Sequence, residues 1–498
     1  MSKEQSRARL RFWVRAAATG ALLAAGAGVA DAKTDPATEA KLAAAQAKID
    51  ALTADLQSLT AQVQDLKASE ASDVADVRAA AATNQVSISN GRPTIQNADG
   101  SQKFAVRGLV QFDATRYIED DKTQLDLNSG TNFRRARLGI EGTVSKDWSY
   151  ALTGEFGGSG AEAAQLNQAW VEYGGWRPGF LANPLRLRIG AWAQPANLED
   201  ATNNTESLFL ERPGVSELNR SIAAGDGRSG IGFNANGDKW YAGGALTGDL
   251  VGQGSSSATP VSDEQTGYTA RVAYAFLKGP NHALHLGANF NGIIDPQDTG
   301  AGPATTKQIR LRERPELRVD DTRLVDTGAI NSEGVNSYGG EIGANWKNLY
   351  AAGEYFKINL DRSGPLADPD FNGWYVQGAW TLTGEQHQWN AAAGGFRGIR
   401  PANEFNPSKN QWGAWELAAR YSVLDLNFNE GSVGSAVPAS GIRGGEQDIS
   451  TVGLNFYPNS VVRFLFNLEH ADVDKIGAGN AKVHNDFDAV SLRTQVAF

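Results

Sequence analysis

The run from Lys103 to Thr115, KFAVRGLVQFDAT, decides the fold. Phe104, Val106, Val110, Phe112 and Ala114 share one parity, while Lys103, Arg107, Gln111 and Asp113 share the other. A period of two is a strand with one apolar and one charged face. The pattern returns in FRRARLGIEGTV (133–144), where Ala136, Leu138, Ile140 and Val144 oppose Arg135, Arg137, Glu141 and Thr143. It returns again in PLRLRIGAWA (184–193), with Leu185, Leu187, Ile189 and Ala191 opposing Arg186 and Arg188. In a soluble sandwich the apolar faces would pack on a second sheet, and strands would average about five or six residues. Many here run to ten or more, the length that a ~25 Å apolar band demands of a tilted strand.

Outward from those runs, strand pattern and turn residues predict sixteen segments. They begin near residues 103, 132, 147, 165, 184, 228, 239, 266, 281, 336, 348, 371, 412, 447, 459 and 487. Gaps at 118–131, 193–227, 249–265, 292–335 and 425–446 are long, whereas 145–147, 236–238, 278–280 and 457–458 are tight. Long loops on one side and short turns on the other mark an outer-membrane barrel. One connection, 384–411, breaks the alternation by being long on the short side. An even strand count leaves both barrel ends on the periplasmic side. The aromatic residues Trp148, Tyr150, Trp170, Tyr173, Trp346, Tyr350, Trp380, Trp415 and Tyr421 sit near predicted strand ends, where interfacial girdles lie. The chain closes on SLRTQVAF, with Leu492, Val496 and Phe498 on one parity. This resembles the terminal strand that barrel-assembly machinery recognises, so Phe498 is the candidate insertion signal and that machinery an expected partner.

Ahead of the barrel lie three further segments. Residues 1–32 pair a basic start (Lys3, Arg7, Arg9, Arg11, Arg15) with an apolar run from Ala16 to Ala30 and the small-residue site Ala30-Asp31-Ala32. That is the form of a secretory signal peptide. Residues 36–70 hold a heptad seam, with Leu42, Ile49, Leu56 and Val63 at a and Ala45, Leu52, Leu59 and Leu66 at d. Sustained over four heptads, it predicts a periplasmic coiled coil ~40 Å long that self-associates. Residues 71–102 read as a polar linker with small hairpins, their turns at Asn90-Gly91 and Asp99-Gly100. The prediction is therefore all-β: a 16-stranded antiparallel transmembrane β-barrel over 103–498, preceded by a short N-terminal coiled-coil helix.

Composition narrows the function. The 498 residues include no Cys, which excludes disulfide, thiol and Cys-metal chemistry. The balance of 46 Lys+Arg against 56 Asp+Glu gives a net charge of −10 and argues against nucleic acid as a partner. The signal segment carries five basic and two acidic residues, so its removal deepens the acidity to −13. A mean hydropathy of −0.37 excludes a polytopic helical membrane protein but not a barrel, which turns half of each strand to water. His282 and His285, three apart, point to opposite faces of a strand, so no shared metal is expected. No catalytic constellation stands out, and neither an enzyme nor a cofactor is expected.

Several blocks resemble the phosphate-selective porin O/P family: FRRARLGIEGTVSKDWSY (133–150), AWVEYGG (169–175), PLRLRIGAWAQP (184–195), RLVDTGAI (323–330), GAWELAARYSVLDLN (413–427) and TVGLNFYPNSVVRFLFN (451–467). The resemblance covers the barrel. It implies a homotrimer of 16-stranded barrels in the Gram-negative outer membrane, set among lipid and lipopolysaccharide, each with a channel lined by arginines and lysines and narrowed by inward-folded loops. Two positions depart from the family's pattern. Gln194 stands where a Lys is common, and Glu446 where a basic or neutral residue is usual.

Candidate solute contacts follow from charge. Arg suits anion selection because its planar fork pairs with phosphate bidentately and stays charged. In the longest loop, Arg310, Arg312, Arg314 and Arg318 share one parity opposite Ile309, Leu311, Leu317 and Val319. If extended, they form a file with ~6.6 Å steps and a larger gap before the last, which resembles the arginine ladder expected of the family. The interleaved Glu313, Glu316, Asp320 and Asp321 allow the other reading, a loop salt-bridged to itself. Arg107, Arg135, Arg137, Arg186 and Arg188 are expected to line the pore from the wall, and Arg212, Arg220 and Arg228 from a constricting loop near 194–228. Glu119-Asp120-Asp121 reads as solvated surface with room for divalent cations and lipopolysaccharide. The expected function is passive, anion-selective passage of small solutes such as phosphate or polyphosphate. The alternatives are a general or cation-preferring porin, or a structural barrel tethering the outer membrane to the cell wall.

Overall fold

The computed structural model describes residues 35–119, 125–158, 165–251, 263–298 and 306–498; the predicted signal peptide lies outside them. Sixteen strands build the barrel: β1 (Lys103–Glu119), β2 (Gly130–Ser145), β3 (Trp148–Glu155), β4 (Gln165–Trp176), β5 (Leu185–Trp192), β6 (Arg228–Asn236), β7 (Trp240–Leu250) and β8 (Thr266–Gly279). The second half is β9 (His282–Asp295), β10 (Ile330–Trp346), β11 (Leu349–Arg362), β12 (Asp370–Thr381), β13 (Ala414–Phe428), β14 (Ile442–Tyr457), β15 (Val462–Ile476) and β16 (Lys482–Ala497). Each pairs antiparallel with the next. The ring closes where β16 meets β1, from Phe487↔Glu119 to Ala497↔Leu109. Beside it, the C-terminal Phe498 exchanges both backbone bonds with Gly108. A Cβ on residue 108 would lie 2.4 Å from the Phe498 ring, so a larger residue there would displace that ring.

Every predicted strand start lies within six residues of an observed one. The largest offsets are at β10, β14 and β16, whose extracellular ends extend beyond the apolar band. There the outward residues are polar (Glu446, Asp448, His484, Asp486), so the strand continues after its hydrophobic alternation has faded. Below that level the barrel is inside out. On β8, Val272 and Tyr274 face outward and stay exposed while Arg271 and Ala273 are buried. Exposed rows of this kind suit lipid, and the closed ring leaves no backbone edge unpaired within it. Two aromatics assigned to the girdles turn inward instead. Tyr350 stacks on His387 at 4.5 Å, and Trp170 carries the Arg188 guanidinium 3.9 Å from its ring.

Inside the extracellular half, two loops pack as a core. Val215, Leu218 and Ile222 of the 193–227 loop meet Ile309, Leu311, Leu317, Leu324 and Val325 of the 296–329 loop. Both press on Phe356, Ile358, Leu360, Phe371, Leu424 and Leu426 of the wall. Burying an apolar side chain of this size stabilises by roughly 1.5–3 kcal/mol, so these loops are fixed fillings. The long periplasmic connection also folds inward. Residues 382–413 carry a short hairpin (Gln388–Asn390 with Gly395–Arg397), whose Phe396 packs with Leu198, Tyr350 and Ala283.

The chain divides after Ala82 into two compact units. The first holds α1 (Pro36–Thr83), whose seam residues Leu42, Ile49, Leu52, Leu56, Leu59, Val63 and Leu66 are all exposed. The helix continues through the stretch expected to begin the linker. The reason is composition: from Ala68 to Thr83 there is no Gly or Pro, and alanine, the strongest helix former, recurs. The linker proper is one hairpin, Asn84–Ser89 with Arg92–Asn97, turning at Asn90 and Gly91 in the left-handed region. Its second strand pairs with β1 through Thr94↔Ala105 and Ile95↔Phe104.

Candidate functional site: an arginine-lined passage

The 193–227 loop is organised by two helices. Asn197 caps α2 (Leu198–Ala201), its Oδ1 accepting from the Asp200 N–H at 2.8 Å. The same side chain donates to the Ser216 carbonyl (3.0 Å) and the Asn219 Oδ1 (2.9 Å), which ties α2 to α3 (Gly214–Ala223). The apolar stripe of α3 enters the core described above, and its other face carries Glu217 and Arg220. Arg212 and Arg220 converge on Asp200, and both also reach Glu217. Arg220 extends to Asp226 at 2.7 Å, which Arg137 of the wall also holds along with Glu155. Arg318, from the 296–329 loop, joins Glu217 (3.7 Å) and Glu313 (3.4 Å). Burial raises the Glu217 carboxyl, but Arg220, Arg212 and Arg318 outweigh it and hold it down to about 2. The loop is thus pinned to the wall by a continuous lattice of charged pairs.

A second tether lies beside it. Arg134 forks onto Glu211, with Nε at 2.8 Å and Nη2 at 3.2 Å. Arg493 of β16 forks onto Asp113 of β1, both bonds 2.6 Å, and reaches Glu211 at 2.7 Å. Arg134 was missed by strict alternation because β2 carries a bulge: Gln111 pairs with Arg135, but Phe112 pairs with Phe133. The extra residue lets two successive arginines serve the interior. Arg493 was available to the alternation argument, since Leu492 marks the outward parity.

Two cavities bordered by arginines lie beside these tethers. The larger, about 790 Å³, is bordered by Arg92, Lys103, Arg107, Arg137, Arg212, Arg397, Arg400 and Arg463, against Asp200, Glu206 and Asp226. The smaller, about 220 Å³, is bordered by Arg186, Arg188 and Arg271 against Asp200. Ala193, Asp200, Ala201 and Ala393 border both, so the neck between them lies where α2 meets the tip of the 382–413 connection.

The sequence candidates divide accordingly. Arg107, Arg137 and Arg212 border the larger cavity, and Arg186 and Arg188 the smaller. Arg107 is held by Glu141 at 2.8 Å, and Arg188 by Glu172 at 2.7 Å. Arg135 is buried in the wall with its Nη1 on Gln111, and Arg220 is buried in the lattice. Arg228 does not line the passage. Its guanidinium donates to the carbonyls of Ala224, Ser221 and Gly248, closing the carboxyl end of α3, where unsatisfied carbonyls attract a cation. The four-arginine file does not form either. Arg310 and Arg312 are exposed, and Arg310 forks onto Asp326. Burial, with Arg318 and Arg323 nearby, pushes the Arg314 guanidinium down to about 10. Pro315 and the left-handed Glu316 turn the chain, sending Arg318 to the acids of the lattice. Asp326 thus holds one end of the file and Glu313 with Glu217 the other, and no ladder remains.

Other expectations also find their place. Gln194 is buried, donating to the Arg228 carbonyl at 2.8 Å, so the position usually basic in the family supports the loop's closure. Glu446 lies on the outward face of β14. His285 is buried on Glu341 while His282 sits outward against Trp346, on opposite faces. Glu119 accepts from the Leu127 N–H; Asp120 and Asp121 lie outside the described residues.

Residues 104–498 match the family model described as phosphate-selective porin O and P. A curated relative, Porin O of Pseudomonas aeruginosa, is 22% identical over 423 residues, spanning 81% of this chain and 90% of that one. Among solved structures, an anion-selective porin from Comamonas acidovorans aligns with a TM-score of 0.46 at 15% identity, covering 80% of this chain and 100% of its own. OmpT of Vibrio cholerae aligns at 0.44 and 11%, with the same coverages.

Proposed function

The chain belongs to the phosphate-selective porin O and P family, whose members are outer-membrane channels, and from that premise we propose that it passes small anions passively, phosphate and polyphosphate among them. One observation carries the reading: eight cationic side chains against three acidic ones border the 790 Å³ cavity, in a chain of net charge −10. In a narrow passage with low-dielectric walls, the local charges act far more strongly than the distant surface. Net acidity therefore does not set the selectivity. Arg397 and Arg400, less engaged by carboxylates than Arg137 or Arg212, are the cations best placed to meet a solute. Nothing in the sequence couples flux to energy, so the solute follows its gradient.

The test is the reversal potential of the purified protein in a planar bilayer under a KCl gradient. An anion-favouring potential is expected. A cation-favouring one ends the reading in favour of a cation-preferring porin, and no conductance at all favours a structural barrel.

The exposed heptad seam of α1 supports self-association in the periplasm, where an even strand count leaves the barrel's amino end. Three copies is the number that the family implies. Crosslinking in native membranes is expected to give trimers, and a pattern of monomers alone removes the assembly.

A further inference from the structure

Three arginine forks of the wall are used in one way. Arg134, Arg271 and Arg493 each present the Nε–Nη2 edge to both oxygens of a carboxylate: Glu211, Glu341 and Asp113 respectively. Arg463 of β15 presents the same edge to nothing. Its Nε and Nη2 are buried with no hydrogen-bond partner, and the residue is 3% exposed. Only Nη1 has an acceptor, the Thr205 carbonyl at 3.4 Å. The guanidinium lies 4.7 Å from the Tyr457 ring centroid, and the residue is among those that border the larger cavity. Among the described residues, no carboxylate stands within ion-pair distance. The Glu416 carboxylate is already taken by His387 (2.6 Å), Tyr457 (2.8 Å) and Asn455 (3.1 Å).

Register explains how such a group is held. Arg463 pairs with Gln495, Gln495 with Gln111, and Gln111 with Arg135, one row across β15, β16, β1 and β2. Gln111 donates to the Gln495 Oε1 at 2.7 Å, and Gln495 donates to the Thr205 carbonyl at 3.0 Å. The row is locked beneath the 193–227 loop, so Arg463 cannot swing to a distant acid. A buried donor without an acceptor is costly, and a charged one more so.

We propose that the free fork of Arg463 is an oxyanion subsite, a specificity determinant of the channel that takes two oxygens of one phosphate or carboxylate group. The inference rests on the anion-channel reading and deepens it. Planar and tetrahedral oxyanions fill the Nε–Nη2 edge with two parallel bonds. Chloride, a sphere, draws both N–H bonds onto one point and cannot meet them in parallel. The subsite therefore separates oxyanions from halide, which a general excess of positive charge does not.

Arg463→Lys keeps the charge and removes the fork. In bilayers, the inorganic phosphate concentration that half-blocks the chloride current should rise roughly tenfold in R463K. Arg463→Gln should weaken block equally and also shift the reversal potential towards cations. Unchanged block in R463K overturns the subsite. Calorimetric titration of inorganic phosphate into the detergent-solubilised protein repeats the comparison without relying on an anion current: weaker binding in R463K supports the subsite, and equal binding overturns it. A wild-type channel that prefers cations would end the anion reading while leaving that titration to decide on Arg463.

Discussion

Replacing Arg493 with Ala should destabilise the barrel by about 3–5 kcal/mol, the usual cost of breaking a buried ion pair by removing one partner. Arg493 is 1% exposed and holds Asp113 with two bonds of 2.6 Å and Glu211 at 2.7 Å. It also donates to the Leu210 carbonyl. Its loss strands Asp113 without a cation and halves the anchorage of Glu211, which keeps only Arg134. Two consequences follow, one for the wall and one for the channel. The β16–β1 seam that closes the barrel loses its charged cross-link, which lowers the denaturant midpoint of the barrel refolded in lipid vesicles. The 193–227 loop loses one of its tethers, which raises the scatter of single-channel conductance. The companion change Asp113→Asn, made with R493A, removes the stranded charge and should recover part of the lost stability. A midpoint within experimental error of wild type in R493A would show that the fork adds nothing to closure.

The same residue marks the boundary of what a sequence discloses. Strand number and order were legible because a membrane imposes one rule, apolar outward, on every segment it touches. KFAVRGLVQFDAT obeys it along its length, and PLRLRIGAWA as far as Ile189. Interior chemistry has no such rule. An inward Arg reads the same whether it meets a carboxylate, a carbonyl or a solute, so Arg228, which closes a helix end, looked like Arg137, which borders the cavity. Arg134 was hidden for a different reason: a bulge shifts parity by one, and nothing in FRRARL distinguishes a bulged pair from a plain alternation. The file from Arg310 to Arg318 failed at Pro315, after which Arg318 turns back to Glu313 of its own loop and on to Glu217 of the neighbouring one. The second of these partners is distant in sequence and meets it only once both loops fold inward. Arg463 was the least legible of all, because its significance is an empty fork, and that is a property of its neighbours.

The connection from 382 to 413 broke the alternation of loop lengths, and its geometry explains why it is kept. Arg271 donates to the carbonyls of Ala393 and Gly394 while forking onto Glu341. Trp389 lies 4.9 Å from the His285 ring, and Phe396 lies 5.2 Å from that of Tyr350. These contacts carry the tip to α2, at the neck between the two cavities. Replacing residues 385–412 with Asn-Gly, a sequence suited to a two-residue hairpin turn, would remove the filling and keep the β12–β13 ladder. The barrel should survive. Arg271 retains both bonds to Glu341, and Glu416 retains Asn455 and Tyr457 after losing His387. The passage should not stay the same. Single-channel conductance in concentrated KCl is expected to rise about twofold or more, since the neck sets the resistance. Anion preference should fall at the same time, because Arg397 and Arg400 leave with the segment. A wider pore with unchanged selectivity would place the selecting charges on the wall and the 193–227 loop alone. Unchanged conductance would place the narrowest point elsewhere, above α3, where the two extracellular loops pack.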